Sequence, residues 1–310
     1  TLLNGAPDYT KKGFNKRKSA FNKLQKKLNN IDTTNWSKSK QVDWQIIEAE
    51  MNGYDFNYRV LKSWIRDPAF YQTIWMYQSD VPAHEGPVNH ALLEYWQYTF
   101  PLNKQAKEKF HRELALIPAF LEQAKQNLTG NARDLWVAGI NNLRDQTKYL
   151  NTIEKTLNEY QDKKKDKSIF EALQNAKVAN NKFIRWLESE APKKNGPSGI
   201  GKENYTWYQQ NVHRVPLTWE EEVQLLQREL DRAWSSLKLE EERNKKLPLM
   251  KSADTPNEFK VLTENAVKKM MRFLSENDIM YIKDNMEPAL REHMGEYVPK
   301  DDRNFFSIGL

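Results

Sequence analysis

Apolar residues recur at helical three- and four-residue spacing along almost the whole of this chain, and clean two-residue alternation is scarce. The pattern leaves little room for sheet. It predicts an all-α fold of long antiparallel helices in a bundle-like array. Phe14, Phe21, Leu24 and Leu28 form one stripe, and Val42, Ile46, Ile47, Tyr54, Tyr58 and Leu61 form a second that runs through Gly53. Asp67-Pro68 reads as an N-cap with proline at the first helical position, opening a short aromatic helix through Phe70, Tyr71 and Ile74. Longer helices are expected at roughly 104–128 with a kink at Pro118, 132–164, 168–190, 218–246 and 256–275. Ser168 to Glu171, Thr218 to Glu221 and Thr255 to Glu258 each carry the spacing at which a hydroxyl and a carboxylate cap each other's free backbone N–H groups.

A mean hydropathy of −0.87 would by itself point to disorder. Against that, 10 Trp, 13 Tyr and 13 Phe in 310 residues supply bulky apolar surface for a core. No run approaches the roughly 20 apolar residues needed to cross a bilayer. The absence of Cys excludes a disulfide framework, cysteine proteases, zinc fingers and iron–sulfur centres, and leaves the compartment open. We expect one helical region over 1–310, with a sub-boundary in loop 191–201, where Gly and Pro cluster. Thr1 opens the chain without a signal-peptide pattern, and the apolar Phe305 to Leu310 closes it. From those ends we expect the N-terminal portion of a longer protein.

Few constellations look like chemistry. Gly196 to Lys202 matches the first part of a phosphate-binding loop, but Glu203 stands where a Mg²⁺-binding hydroxyl is needed, and the loop follows a helix instead of a strand. His84 and His90 lie six residues apart with Pro87 between them, so they cannot share a metal across one helical turn; His111, His213 and His293 stand alone. No G-x-S-x-G motif occurs. The marked charge asymmetry is Lys11, Lys12, Lys16, Arg17, Lys18, Lys23, Lys26 and Lys27, with no acidic residue from Lys11 to Ile31. Such a segment suits an anionic surface or is simply a solvated helix face. A net charge of +6 without a basic-aromatic reader motif argues against nucleic acid as partner.

Gln41-Val42-Asp43, the helix around Glu48 to Asn52, the run Trp64 to Tyr71, and Gly199 to Tyr208 followed by Thr218 to Glu222 resemble the domain of unknown function 885 family, from about Lys11 to the end of the chain. The resemblance implies a bacterial protein, exported to the periplasm or held at the outer membrane as a lipoprotein, whose fold is like the helical part of HExxH zinc metallopeptidases. Any membrane contact would then come through a lipid anchor preceding this chain. The family's H-E-x-x-P-G-H motif does not occur here, so no zinc ligand or catalytic residue is assigned. Zinc would belong to the full-length protein, and no cofactor is expected in this chain.

With a peptide as implied substrate, the segment expected to approach it is Gly199 to Tyr208. Gly199 and Gly201 would allow close backbone approach, Lys202 would pair with a substrate carboxylate, and Tyr205 would donate a hydrogen bond. The plain structural alternative is a helix-to-helix turn. A second functional reading is a non-catalytic accessory or binding subunit of a bacterial surface complex. Its protein contacts would be Trp75, Tyr95 and Trp96, unless these pack the core.

Overall fold

The computed structural model describes residues 2–3, 6–78, 91–248, 252–292 and 295–303. His84, His90 and His293 lie outside the described residues. The chain is nearly all α. It divides into two compact units, Thr1–Glu229 and Leu230–Leu310, and loop 191–201 falls inside the first. Among the described residues strand is confined to two-residue pairs, β1 (Leu2–Leu3) antiparallel to β2 (Ala6–Pro7), and β3 (Ile74–Trp75) parallel to β4 (Leu93–Glu94).

In the first unit α1 (Lys11–Asn29) and α2 (Lys38–Phe56) come first, and α2 runs on into a π-helical turn, Asn57–Leu61. Phe21 against Tyr54 (ring centroids 4.7 Å apart) and the Lys18–Asp55 ion pair join the two helices. Burial normally raises a carboxyl's pKa, but the hydrogen bonds from Lys18 and Arg59 outweigh it and hold Asp55 below the usual carboxylate range. The two apolar stripes are buried only in part. Leu24, Val42, Ile46 and Ile47 are each more than half exposed, so helical periodicity there marks an amphipathic face and not a buried one. After α3 (Ser63–Arg66), Asp67 accepts a hydrogen bond from the Ala69 N–H at 2.9 Å, with Pro68 opening a 3₁₀ turn over Pro68–Tyr71 that is shorter than the helix expected, since Ile74 lies in β3.

The core is built by α4 (Lys104–Asn127), α5 (Arg133–Tyr160) and α6 (Lys167–Glu190). Each presents a seam at three- and four-residue steps or their seven-residue sum: Phe110, Leu114, Ile117, Leu121 and Ala124 on α4; Trp136, Leu143, Leu150, Ile153 and Leu157 on α5; Ile169, Leu173, Ala176, Phe183 and Leu187 on α6. Ion pairs reveal the helix directions. Arg144–Glu188 and Glu154–Lys177 make α5 and α6 antiparallel. Lys107–Asp166 and Glu122–Lys182 run in the same order along both helices, so α4 and α6 are parallel neighbours. The uniformly antiparallel array expected from the sequence is therefore corrected. The 28 residues of α5 carry the chain back, and α6 then packs beside α4.

α4 continues as one helix through Pro118. One further expectation shifts. Ser168 lies inside α6, because Asp166 occupies the cap position, its carboxylate held by Lys107 at 2.7 and 2.8 Å. Tyr95 is half-buried and packs against the core, its hydroxyl donating to Thr156 at 3.0 Å and its ring 5.6 Å from Phe100; Trp75 is also half-buried, and Trp96 is the exposed member of the trio.

Tyr98 donates its hydroxyl to Glu113 at 2.5 Å, and burial pushes the Glu113 carboxyl above its ordinary range despite that bond and nearby Lys109. A carboxyl with a raised native pKa holds its proton more tightly when folded. Its contribution therefore weakens as pH rises from the unfolded value, about 4.3, through the native one, and is constant above. Glu113→Gln should reduce the drop in urea midpoint between about pH 4.5 and pH 7 relative to the parent. An unchanged drop would place the pH dependence elsewhere.

In the second unit, the C-terminal half of α8 (Trp219–Asn244) is followed by α9 (Pro256–Glu276) and α10 (Met286–Glu292). Thr255 caps α9 through the Glu258 N–H at 3.2 Å, as its spacing predicts. Arg303 reaches the Ala253 carbonyl at 2.6 Å, and Tyr297 donates to the Asp254 carbonyl at 2.7 Å. Ala253, Met271 and Leu274 are the buried apolar residues among those described in this unit.

Candidate functional site

The glycine-rich loop is tied to the start of α5. Ser198 Oγ accepts from the Asp134 and Leu135 N–H groups at 2.8 and 3.3 Å, supplying from a distance the cap that Ala132 cannot. Asn131 Oδ1 accepts from the Asn195 and Gly196 N–H groups at 2.7 and 3.1 Å. A Cβ on Gly196 would stand 2.1 Å from the Asn131 carbonyl oxygen, which is why the loop needs glycine there. Arg66 then donates to the carbonyls of Pro197, Ser198 and Gly199 at 3.3, 2.9 and 3.3 Å. Amides that would cradle a phosphate are thus partly engaged inside the protein. This agrees with Glu203 standing where that motif needs a hydroxyl.

From Gly201, whose φ of +82° suits glycine, the chain enters α7 (Lys202–Tyr208), which continues into a second π-helical turn, Gln209–His213. The α7 segment lies on the end of α2. Phe56, 1% exposed, stacks on Trp207 (5.7 Å, 8°) and tilts against Tyr208 (4.7 Å); Asn52 donates to the Asn211 carbonyl at 3.1 Å, and Arg214 pairs with Glu48 at 2.5 Å. Both π turns end on a left-handed residue, Lys62 (φ 46°) and Arg214 (φ 59°). π turns recur at functional sites because they re-aim side chains without ending the helix.

Four sequence candidates fall on this segment. Lys202 and Tyr205 both face the start of α8. The Lys202 ammonium sits 3.8 Å from the centre of the Trp219 ring and 3.4 Å from the Glu220 carboxylate, with more than half its side chain exposed. Tyr205 donates to Glu222 at 2.5 Å and accepts from Gln209 at 2.8 Å. The bond to Glu222 raises the Tyr205 pKa above the ordinary phenol range, so the hydroxyl stays a proton donor at neutral pH. Gly199 has open space around its Cβ position, so no close approach requires glycine there. Sequence reasoning missed Trp219, Glu222, Gln209 and Arg66. The signal for Glu222 was present: in the run Glu220 to Glu222, Glu221 is consumed by the reciprocal cap with Thr218 (2.7 and 3.2 Å), leaving its neighbours for other work.

The cluster offers one exposed ammonium, facing the Glu220 carboxylate, on a polar, aromatic-backed edge. It holds no donor set for zinc: among the described residues no group of three or more His, Cys, Asp or Glu is placed to hold a metal ion. Among the described residues, no helix is long and apolar enough to cross a membrane.

A family model described as "Bacterial protein of unknown function (DUF885)" matches residues 4–304. No curated protein matches the chain. The fold is similar to a solved structure from Shewanella oneidensis, described as that of "a putative lipoprotein of unknown function", with a TM-score of 0.60 and 14% identity. The match covers 91% of this chain and 54% of that one. The chain thus spans about half the length of that neighbour.

Proposed function

The chain belongs to the bacterial DUF885 family, and from that premise we propose that it is the helical framework of an exported protein resembling the zinc-dependent peptidases. In this reading the α7–α8 junction forms one wall of a peptide-binding cleft, and the metal motif lies outside these residues. The observation that carries it is the solvent-facing group made by Lys202 on Trp219 with Tyr205, Gln209 and Glu222. The junction is built from two of the segments that resemble the family, Gly199 to Tyr208 and Thr218 to Glu222. Lys202, on exchanging Glu220 for a substrate carboxylate, supplies a cation, and Tyr205, on exchanging its bond to Glu222, a hydrogen-bond donor for a carbonyl. An exported location is supported by the description of the Shewanella neighbour. Zinc enters only through residues beyond this chain, so no chemical step is assigned to any residue here.

The test uses the protein purified from its source, with intact mass and zinc content measured on the same sample and turnover followed on a peptide mixture. Lys202→Ala should lower kcat/KM about tenfold or more, chiefly through KM, the size expected for one lost charged hydrogen bond. Tyr205→Phe should act in the same direction. Melting temperatures should hold, since both side chains are surface-facing. Unchanged peptide turnover in both folded variants would sink the reading.

A non-catalytic subunit of a bacterial surface complex is the second reading. Leu230, Trp234 and Leu237 favour it: they follow one another along one face of α8 and are 50%, 53% and 47% exposed. A purified protein with neither zinc nor turnover, recovered with a stoichiometric partner lost on Trp234→Ser, would decide for it.

A further inference from the structure

We propose that the exposed face of α1 docks on an anionic phospholipid surface. At 100° per residue, Lys11, Lys12, Lys16, Lys23, Lys26 and Lys27 fall within an arc of about 160°, and the opposite arc carries Phe14, Phe21 and Leu28, which turn inward. All six lysines are exposed, and none has a side-chain partner among the described residues. The helix's other two cations are already used. Arg17 donates to the Asp8 carbonyl at 2.6 Å and lies over the Phe14 ring, and Lys18 pairs with Asp55. Asn15, Ser19 and Asn22 share the lysine face and, with Lys18, Lys23 and Lys26, line a shallow depression along it.

The helix accounts for the positive charge of the whole chain. Without the helix and its eight cations the remaining 291 residues carry 40 Lys and Arg against 42 Asp and Glu, more acidic than basic side chains. A net-negative body with one basic face orients in the field of a negative surface. The face spans about 24 Å along a straight helix, a line of ammonium groups on flexible stems that suits a plane of phosphates. Its exposed cations are all lysine, and it carries no exposed aromatic ring. The planar forks and stacking platforms that recognise nucleic acid are therefore absent from it. The inference stands apart from the peptidase reading and survives that reading's failure.

The experiment is co-sedimentation of the full chain with phosphatidylcholine vesicles, with and without phosphatidylglycerol, at low and high salt. Binding should require phosphatidylglycerol and weaken with salt. Replacing Lys12, Lys16, Lys23 and Lys27 by Gln should lower the partition coefficient about tenfold or more, whereas replacing Lys104, Lys155, Lys260 and Lys268 by Gln should leave it near the parent value. If the quadruple variant loses helicity, Lys16→Glu with Lys23→Glu serves in its place. No binding to anionic vesicles, or equal losses in the two sets, would overturn the proposal, because net charge and not this face would then be responsible. Tighter lysine-dependent binding to a DNA duplex than to vesicles would overturn it equally.

Discussion

Gln146→Leu is expected to destabilise the first unit by about 3 kcal/mol or more, read as a fall in urea midpoint at constant slope. Gln146 is fully buried in the α5 seam, where its spacing from Leu143 and Leu150 would suit a leucine. Its Oε1 accepts from the Thr73 and Ile74 N–H groups at 2.7 and 3.1 Å, and its Nε2 donates to Asn180 Oδ1 at 2.8 Å. Asn180, fully buried on α6, donates in turn to the Leu143 carbonyl at 3.1 Å and to Thr147 at 2.9 Å. Leucine would fill the space and strand two backbone donors and one amide oxygen away from water. Each stranded group costs about 1–3 kcal/mol, more than the added apolar contact returns. The same network fixes the register of α5 on α6 and holds the strand β3 against both. Adding Asn180→Leu should therefore cost less than the sum of the single changes, a coupling a double-mutant cycle measures. A loss below about 1 kcal/mol for Gln146→Leu would mean that the Thr73 and Ile74 amides find other partners.

That pair also marks where sequence reading stopped. The long helices were legible because Phe110, Leu114, Ile117 and Leu121 repeat at seam spacing, and because Thr218 and Thr255 stand three residues before a glutamate. The polar members of the α5 and α6 seams were not recognised, since Gln146 and Asn180 look like surface residues unless the seven-residue register is carried through them. Helix direction was not legible at all. Lys107–Asp166 and Arg144–Glu188 couple residues 59 and 44 positions apart, and no local pattern tells which helices become neighbours.

At the candidate site the balance was similar. Gly201 could be read from the need for freedom at a helix entry, and Lys202 and Tyr205 from their position on the next turn. Their partners could not. Trp219 and Glu222 are brought to them by the first turn of α8, and Arg66 reaches the loop from 131 to 133 residues away. The glycine loop read from sequence as a weak phosphate motif serves instead as a cap for α5. Asn131 and Ser198, both ordinary loop residues in sequence, make that role visible only through the amides they accept from.

Phe56→Ala is expected to release the candidate site while leaving the main core intact. α7 has seven residues, none of them fully buried, far too few to be helical alone. Its order comes from Trp207 and Tyr208 packing on Phe56, a side chain that is buried yet lies outside the α4–α6 core cluster. Removing a buried phenyl group costs about 3–5 kcal/mol. Because Phe56 belongs to a satellite cluster, that cost should fall on local opening. Amide exchange from about Tyr205 to Val212 should accelerate about 100-fold or more, the factor that corresponds to roughly 3 kcal/mol, while Leu114, Leu143 and Phe183 keep their protection. Phe56→Leu, which keeps most of the volume, should show a small fraction of the effect. Uniform acceleration across α4–α6 would mean that α2 is part of one cooperative core, and unchanged exchange would mean that Arg214–Glu48 and the Asn52 bond suffice to hold α7. If the local release is found, loss of peptide turnover in the same variant at temperatures where α4–α6 remain folded would connect the α7–α8 junction to activity through its geometry, independently of any substitution at Lys202 or Tyr205.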